Sequence, residues 1–132
     1  MARHVVAAVG EIPPGGRKRV EVGGRAVVVF NLKGEFFALA DACPHHGGSL
    51  AEGKLTGLVE SGGPGDYRYS RQGEIVRCPW HSWEFDIRTG RSRCDPRRIR
   101  TRAYDVSVAP GALLQAETFP VRIEDAYVVV EA

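Results

Sequence analysis

The chain of 132 residues lacks the features that define several large classes of protein. It has three cysteines, which is too few for a disulfide scaffold and fits a reducing compartment. Its apolar runs are far shorter than the roughly 20 residues that cross a membrane, and its first residues include too short an apolar stretch for a secretory signal. No segment has a convincing helical period over about 12 residues. The sequence therefore predicts a single cytoplasmic domain, all-β in class, without a membrane segment.

Lysine is scarce, since 15 of the 18 basic side chains are arginine. Seven arginines follow one another closely: Arg88, Arg91, Arg93, Arg97, Arg98, Arg100 and Arg102. This arginine run has no interleaved aromatic residues and the formal net charge is only +2, so nucleic acid is not an expected partner. Two interpretations stay open, a solvated basic face and electrostatic docking to an acidic protein.

Short runs rich in valine and phenylalanine alternate with turns that contain glycine and proline. The predicted strands are Val5–Val9, Arg19–Val22, Arg25–Leu32, Phe36–Ala40, Ile75–Arg77, Trp83–Asp86, Tyr104–Val108, Thr118–Glu124 and Tyr127–Glu131. Gly111–Glu117 is long enough for a turn of helix. About nine strands in one chain favour a small sandwich or stacked sheets.

Two short loops hold most of the residues that commonly ligate metals. The stretch DACPHHGGSLAEG contains Cys43, His45 and His46, and the stretch RCPWHSWEFD contains Cys78 and His81. Two thiols and two imidazoles suit either zinc or an iron–sulfur cluster. Spacing also leaves the first histidine ligand open, because Cys43-x-x-His46 has the same spacing as Cys78-x-x-His81.

The sequences CPHHG and CPWHSW closely resemble the paired motif of the Rieske family, C-x-H-x-G and C-P-x-H. The closing stretch FPVRIEDAYVVVEA also resembles the last two strands of a Rieske ferredoxin. The resemblance implies one [2Fe–2S] cluster, with Cys43 and Cys78 on one iron and His45 and His81 on the other. It makes His46 a neighbouring surface residue. Zinc is the weaker alternative, because zinc fingers usually place a helix behind their histidines.

Further residues are expected around the cluster. They are His46, Gly47, Pro79, Trp80, Ser82 and Trp83, with Gly47 and Gly48 letting the backbone approach the cluster and Trp80, Trp83 and Phe85 shielding it from water. High-potential members of the family carry an extra cysteine in each loop and hydroxyl donors after the second histidine. His46 and Trp80 occupy those cysteine positions here, and Trp83 and Phe85 occupy the hydroxyl positions. Since donors to sulfur raise the potential, the resemblance implies a potential at the low end of the Rieske range.

The fold that the resemblance implies has three stacked antiparallel sheets, with a cluster-binding subdomain at the tip of a base. On this chain the base comprises about residues 1–40 and 92–132, and the subdomain comprises about residues 41–91. Together they form one Rieske domain over residues 1–132.

The chain departs from the family pattern in two places. The spacing between the two loops is longer than in most relatives, and the excess is assigned to Gly57–Gly73. A solvent-exposed hairpin is the simpler interpretation of this insert, and a wall beside the cluster or a docking element for a partner is the alternative. The second departure is Ala103–Glu117, which reads as an extra strand and loop. Cys94 is expected to be a small apolar residue or a free thiol.

A cluster with four protein ligands has no open coordination position, so it transfers one electron and performs no bond chemistry by itself. The remaining histidines, His4 and His46, are far apart and lack the acidic companion of an oxygenase iron. The resemblance therefore implies a ferredoxin component, not an enzyme, that passes electrons from an NAD(P)H-dependent flavin reductase to a terminal ring-hydroxylating oxygenase. The alternatives are the small subunit of a nitrite-reductase-like enzyme and a zinc-stapled interaction module.

Overall fold

The computed structural model describes residues 2–44, 48–79, 83–93, 95–117 and 119–132, with the backbone alone described at 58–62, 66–70 and 72. The described residues form nine strands: β1 (Arg3–Ala8), β2 (Arg17–Val22), β3 (Arg25–Leu32), β4 (Glu35–Ala40), β5 (Lys54–Gly63), β6 (Asp66–Arg77), β7 (Glu84–Asp86), β8 (Ala103–Pro110) and β9 (Ala126–Glu131). They also form one short helix, α1 (Gly111–Ala116), and 3-10 turns at Val9–Glu11 and Leu50–Glu52. None of the described helices is long and apolar enough to cross a membrane.

The all-β class is confirmed, and eight of the nine predicted strand runs overlap an observed strand. The prediction of a strand at Thr118–Glu124 is wrong, because residues 119–124 form a loop. Pro120 has no N–H to donate to a ladder, and the Val121 amide donates locally to the carbonyl of Phe119 at 2.9 Å. Phe119 and Val121 pack instead against a small apolar cluster beside α1. Their apolar character therefore reflects tertiary packing and not strand pairing.

All strand pairs in the described residues are antiparallel, and the strands form a six-stranded sheet of order β1-β9-β8-β4-β3-β2 and a three-stranded sheet of order β5-β6-β7. Two of the three expected sheets, β1-β9-β8 and β2-β3-β4, are thus joined into one through β8. This strand pairs with β9 from Asp105 to Pro110, and with β4 only at Ala103 and Tyr104. The extra segment at Ala103–Glu117 therefore supplies the strand that joins two sheets, followed by α1.

Strand β3 is buried on both faces and separates the two largest apolar clusters. Val27 and Val29 belong to one cluster, and Val28 and Phe30 belong to the other. Successive side chains of a strand face opposite sides, so one unbroken apolar run serves both cores. We call the second cluster the site core; it consists of Val28, Phe30, Leu32, Leu39, Cys43, Leu50, Val76, Cys78, Phe85 and Ile87.

The insert Gly57–Gly73 forms most of a long hairpin between β5 and β6. The ladder begins where Lys54 pairs with Arg77 and ends at the exposed turn of residues 64–65. Arg77 directly precedes Cys78, so the turn lies at the opposite end of both strands from that cysteine. The expected hairpin is present. Because its turn points away from Cys78, the structure gives no support to the alternative that the insert forms a wall beside the cluster.

A bulge separates the outer part of this hairpin from the rest of the sheet. Residues 71–74 interrupt the ladder, and Arg71 has a φ of 51°. Arg71 donates to Asp86 Oδ1 at 2.9 Å and to Glu74 Oε1 at 3.2 Å. Arg88 donates to the same Glu74 oxygen at 3.0 Å, and its guanidinium lowers the pKa of Glu74 below the ordinary value. These ion pairs hold the base of the hairpin against β7.

Replacing residues 58–70 with a short Gly-Ser turn is expected to leave the domain folded, because Arg71 and both of its carboxylate partners remain. The melting temperature, followed by circular dichroism, should fall by less than about 4 °C. Arg71→Ala in the intact chain is the matched comparison. It keeps the hairpin but removes the guanidinium that donates to both Asp86 and Glu74, and it should lower the free energy of unfolding by about 1 kcal/mol. A much larger loss from the deletion than from Arg71→Ala would show that the outer hairpin supports the fold.

Candidate metal centre

Cys43 and Cys78 come from distant parts of the sequence and lie in the same site core. Their relative exposures are 2% and 1%, and neither forms a disulfide. Leu50 and Phe85 are fully buried members of this core, and the half-buried Trp83 packs against it. The fold therefore brings two buried cysteines into one apolar environment, which suits two thiolate ligands of a metal group.

The buried carboxylate of Asp41 fastens the first loop. This side chain is 3% exposed, and three donors converge on it. They are Ser49 Oγ at 2.7 Å, the Ala51 amide at 2.8 Å and Arg19 Nε at 3.0 Å. Because Asp41 precedes Cys43 and two of the donors follow the loop, one carboxylate closes both ends of the loop and holds the cysteine between them.

The second loop is closed at its base by a backbone hydrogen bond. The Cys78 amide donates to the carbonyl of Trp83 at 2.7 Å. The β6–β7 ladder continues from this point, with Arg77 opposite Glu84. The four residues 79–82 are thus bracketed by a hairpin, so the positions of the loop's two ends are set by strand pairing.

The two loops are connected by one close backbone contact. Gly53 ends the first loop, and Arg77 is the last residue of β6 before Cys78. A Cβ added at Gly53 would lie 2.2 Å from the carbonyl oxygen of Arg77 and 3.1 Å from Val76 Cγ2. Gly53 has a φ of −74°, so it needs to be glycine because of space and not because of backbone conformation. The contact sets the position of the first loop relative to the strand that carries Cys78.

The glycines that sequence reasoning selected for close approach were Gly47 and Gly48. Gly47 lies outside the described residues, whereas Gly48 is buried and its carbonyl accepts a hydrogen bond from the Cys43 amide at 2.8 Å. This bond folds the first loop back on itself at its cysteine.

Several predicted site residues lie outside the described part of the chain. They are His45, His46, Gly47, Trp80, His81 and Ser82, together with Cys94. Pro79 is described and is exposed. Within the described residues no three His, Cys, Asp or Glu side chains gather around one point. The structure thus brings together the two cysteines of the predicted ligand set, and the two histidines stay a prediction.

Sequence reasoning missed Asp41 and Gly53, the two residues that bracket the first loop. Neither belongs to the ligand motif, and their roles depend on partners that only the fold brings near. Their positions in the sequence could have identified them. An aspartate before a tight loop often accepts hydrogen bonds from the backbone of that loop. A glycine at the end of such a loop often marks a close approach of two backbones.

The described residues fit a [2Fe–2S] cluster. Two buried cysteines lie in one apolar core, and strand pairing or a buried carboxylate fixes the backbone beside each. A zinc finger usually places a helix behind its histidine ligands. The described residues instead place strands, β6 and β7, on both sides of the second loop.

A family model, the Rieske [2Fe-2S] domain, matches residues 2–105. The match covers most of the chain and includes both loops. The chain therefore belongs to the Rieske [2Fe–2S] family, and its cofactor is a Rieske-type cluster.

The chain is similar to ferredoxin subunits of two dioxygenases. It is 32% identical over 111 residues to the 3-phenylpropionate/cinnamic acid dioxygenase ferredoxin subunit of Photorhabdus laumondii, which covers 84% of this chain and 90% of that protein. It is also 32% identical over 101 residues to the biphenyl dioxygenase ferredoxin subunit of a Pseudomonas strain, KKS102, which covers 76% of this chain and 79% of that protein. Both relatives are electron-transfer components of dioxygenase systems.

Solved structures share the fold. The ferredoxin of carbazole 1,9a-dioxygenase from Nocardioides aromaticivorans IC177 superposes with a TM-score of 0.64 at 23% identity and covers 97% of each chain. A putative nitrite reductase small subunit superposes with a TM-score of 0.66 at 15% identity and covers 100% of each chain. At these identities the structural similarity shows the fold alone. The same fold occurs in a dioxygenase ferredoxin and in a nitrite reductase small subunit, so it does not separate the two functions.

Gly53→Ala is expected to weaken cluster binding, because the new methyl group would push the first loop away from Arg77. The free energy of unfolding in urea should fall by about 1–3 kcal/mol. Iron and sulfide content per chain and the visible absorption of the purified protein report the loss of the cluster.

Gly10→Ala is the control for this substitution, since a Cβ at Gly10 meets no atom within 4 Å. It should leave both stability and cluster content near those of the parent protein. A Gly53→Ala variant that matched Gly10→Ala in both respects would contradict the role given to the contact.

Proposed function

We propose that this chain is the ferredoxin component of a ring-hydroxylating oxygenase system. It accepts single electrons from an NAD(P)H-dependent flavin reductase and passes them to a terminal oxygenase in the cytoplasm. The observation that carries the proposal is the pair of buried cysteines in one apolar core of a Rieske-family chain. Similarity to dioxygenase ferredoxin subunits over most of the chain supports the choice of partners.

Four residues would hold the cluster. Cys43 and Cys78 would ligate one iron, and His45 and His81 would ligate the other. When bound, the cluster supplies a one-electron acceptor and donor with no open coordination position. The chain by itself therefore performs no bond chemistry, and its activity is completed by the partner proteins.

The protein's own residues set the environment in which the electron is held. Phe85 is fully buried in the site core and Trp83 is half-buried against it, so both keep water from the cysteine side of the centre. Phe85 has no hydroxyl to donate to sulfur. This absence favours a low potential, because hydrogen-bond donors stabilise the added electron. A low potential suits a carrier that receives electrons originating from NAD(P)H.

The relatives leave the aromatic substrate of the oxygenase open. The chain is as similar to a ferredoxin from a phenylpropionate and cinnamic acid system as to one from a biphenyl system. An electron carrier contacts the oxygenase protein and not the aromatic compound. Its sequence therefore reflects the surface of its partner and does not identify the substrate. We therefore assign the acceptor to the class of ring-hydroxylating oxygenases and not to one substrate.

The division into two parts also belongs to this proposal. Residues 41–91 contain both predicted ligand loops and the β5-β6-β7 sheet, which supports a cluster-binding subdomain. Residues 1–40 and 92–132 contain the other six strands, which supports a base. The site core spans both parts, since Val28 and Leu39 lie in it beside Cys43 and Cys78.

The ligand assignment is tested by three alanine substitutions in protein produced with iron and sulfide. His45→Ala and His81→Ala should each abolish the Rieske absorption and electron paramagnetic resonance spectra, because each removes a ligand. His46→Ala is the matched control and should keep both spectra with only a modest shift of potential. Bleaching by His46→Ala with retention by His45→Ala would show that the other histidine is the ligand. A colourless parent protein that contains zinc would instead overturn the proposed function.

A further inference from the structure

Positive charge is concentrated in ten consecutive residues, which we call the arginine loop (residues 91–100). The loop contains five arginines, Arg91, Arg93, Arg97, Arg98 and Arg100, and a single acidic residue, Asp95. Its formal charge is +4, whereas the whole chain has a formal charge of +2, so the other residues together carry −2. The basic character of the chain therefore comes from this loop.

The described residues of the arginine loop, which exclude Cys94, form a closed hairpin. Arg91 and Arg100 form an antiparallel bridge at its base. The Ser92 amide donates to the carbonyl of Ile99 at 2.9 Å, and the Ile99 amide donates to the carbonyl of Asp95 at 2.9 Å. The Asp95 amide donates to Ser92 Oγ at 3.1 Å. These bonds turn the chain at residues 95–98 and bring the two arms that carry the arginines next to each other.

The loop is anchored beside the proposed cluster. Ile99 packs against the site core that contains both cysteines. Ser92, which is buried, bridges to Phe85, and the Arg93 amide donates to the carbonyl of Glu84 at 2.9 Å. Strand β7 begins at Glu84, directly after the second ligand loop. The arginine loop therefore lies alongside the strand that leaves this ligand loop.

Most of this charge is not compensated by the described residues. All five arginines are exposed. Arg93 lies 3.5 Å from a carboxylate oxygen of Glu84, and Glu84 is also 3.8 Å from Arg77. One carboxylate thus faces two guanidinium groups, and the described part of the chain provides no ion pair for the other four arginines.

A recess of about 310 Å³ opens between the loop and the neighbouring sheet. Its lining includes Arg91 and Arg93, together with Arg71 and the Asp86 carboxylate with which Arg71 already pairs. Guanidinium groups bind carboxylates through two parallel hydrogen bonds, so Arg91 and Arg93 at this recess suit the carboxylate side chain of another protein.

We propose that the arginine loop is the docking surface for a redox-partner protein that presents a cluster of carboxylates. The inference rests on the proposed function, because an electron carrier must bring its cluster close to each partner for the transfer. Complementary charge speeds such encounters and orients them. Single-stranded nucleic acid is the weaker occupant, since the loop has no aromatic side chains on which bases would stack.

The test compares two double variants with the same change of charge. Arg97→Glu with Arg98→Glu alters the tip of the loop. Lys33→Glu with Arg122→Glu alters two exposed residues in the β3–β4 turn and in the loop after α1, neither of which belongs to the site core. Each protein is isolated with its cluster, reduced, and mixed in a stopped-flow instrument with ferricyanide, an anionic oxidant. Recovery of the visible absorption reports the rate of electron transfer.

At low ionic strength the loop variant should react with ferricyanide about ten-fold more slowly than the parent protein, with a smaller change in the control variant. With hexaammineruthenium(III), a cationic oxidant, the loop variant should instead react faster. Arg97→Gln with Arg98→Gln removes positive charge without adding carboxylates. It should therefore change both oxidation rates in the same directions as the loop variant, but by smaller factors. Equal ferricyanide rates for the loop variant and the control variant would overturn the proposal.

A fluorescein-labelled oligoglutamate peptide tests the chemistry of the partner directly. Its fluorescence anisotropy should report binding to the parent protein at low salt, with about ten-fold weaker binding to the loop variant and near-parental binding to the control variant. Tighter binding of a single-stranded oligonucleotide of matched charge would overturn the choice of an acidic protein. Absence of the Rieske absorption spectrum in the purified parent protein would contradict the proposed function before any oxidant is added. That outcome is therefore distinct from a failure of the docking proposal, which shows only in the rates and in peptide binding.

Discussion

The close contact between Gly53 and the carbonyl of Arg77 connects the two loops that the function needs. A cluster held by four side chains requires loops from distant parts of the sequence to keep a fixed separation. Strand pairing fixes the backbone on either side of the second loop, and the Asp41 carboxylate fixes the first loop. The approach at Gly53 relates the first loop directly to the strand that leads to Cys78, and it leaves no room for a Cβ atom.

The same arrangement explains why the site is apolar on its cysteine side. Strand β3 supplies Val28 and Phe30, and β7, the strand after the second loop, supplies Phe85. The thiols therefore lie among apolar side chains and away from water. Burial of this kind protects a redox group from side reactions. The missing hydroxyl donor has a separate cause, since the side chain at Phe85 has no hydroxyl that could donate to sulfur and raise the potential. The charged arginine loop packs on the outside of the same core through Ile99.

The sequence predicted those features that depend on local pattern. Apolar runs bounded by glycine and proline identified eight strands, and the spacing of cysteine and histidine identified both loops. The prediction failed at residues 119–124, where an apolar run packs against α1 instead of pairing. Asp41 and Gly53 were not found because their partners are remote in sequence or belong to the backbone. The arginine run left two interpretations open, since only tertiary contacts show that part of it folds into a loop beside the site core.

We expect the Rieske cluster of this chain to have a low potential, which suits electron transfer to an oxygenase and not the oxidation of a quinol. Protein-film voltammetry of the purified holoprotein at neutral pH tests it most directly. A reversible one-electron wave at roughly −150 mV, the lower bound for such centres, is the predicted result. A midpoint well above zero would contradict both the effect assigned to the missing hydroxyl donors and the place of this carrier in an oxygenase system.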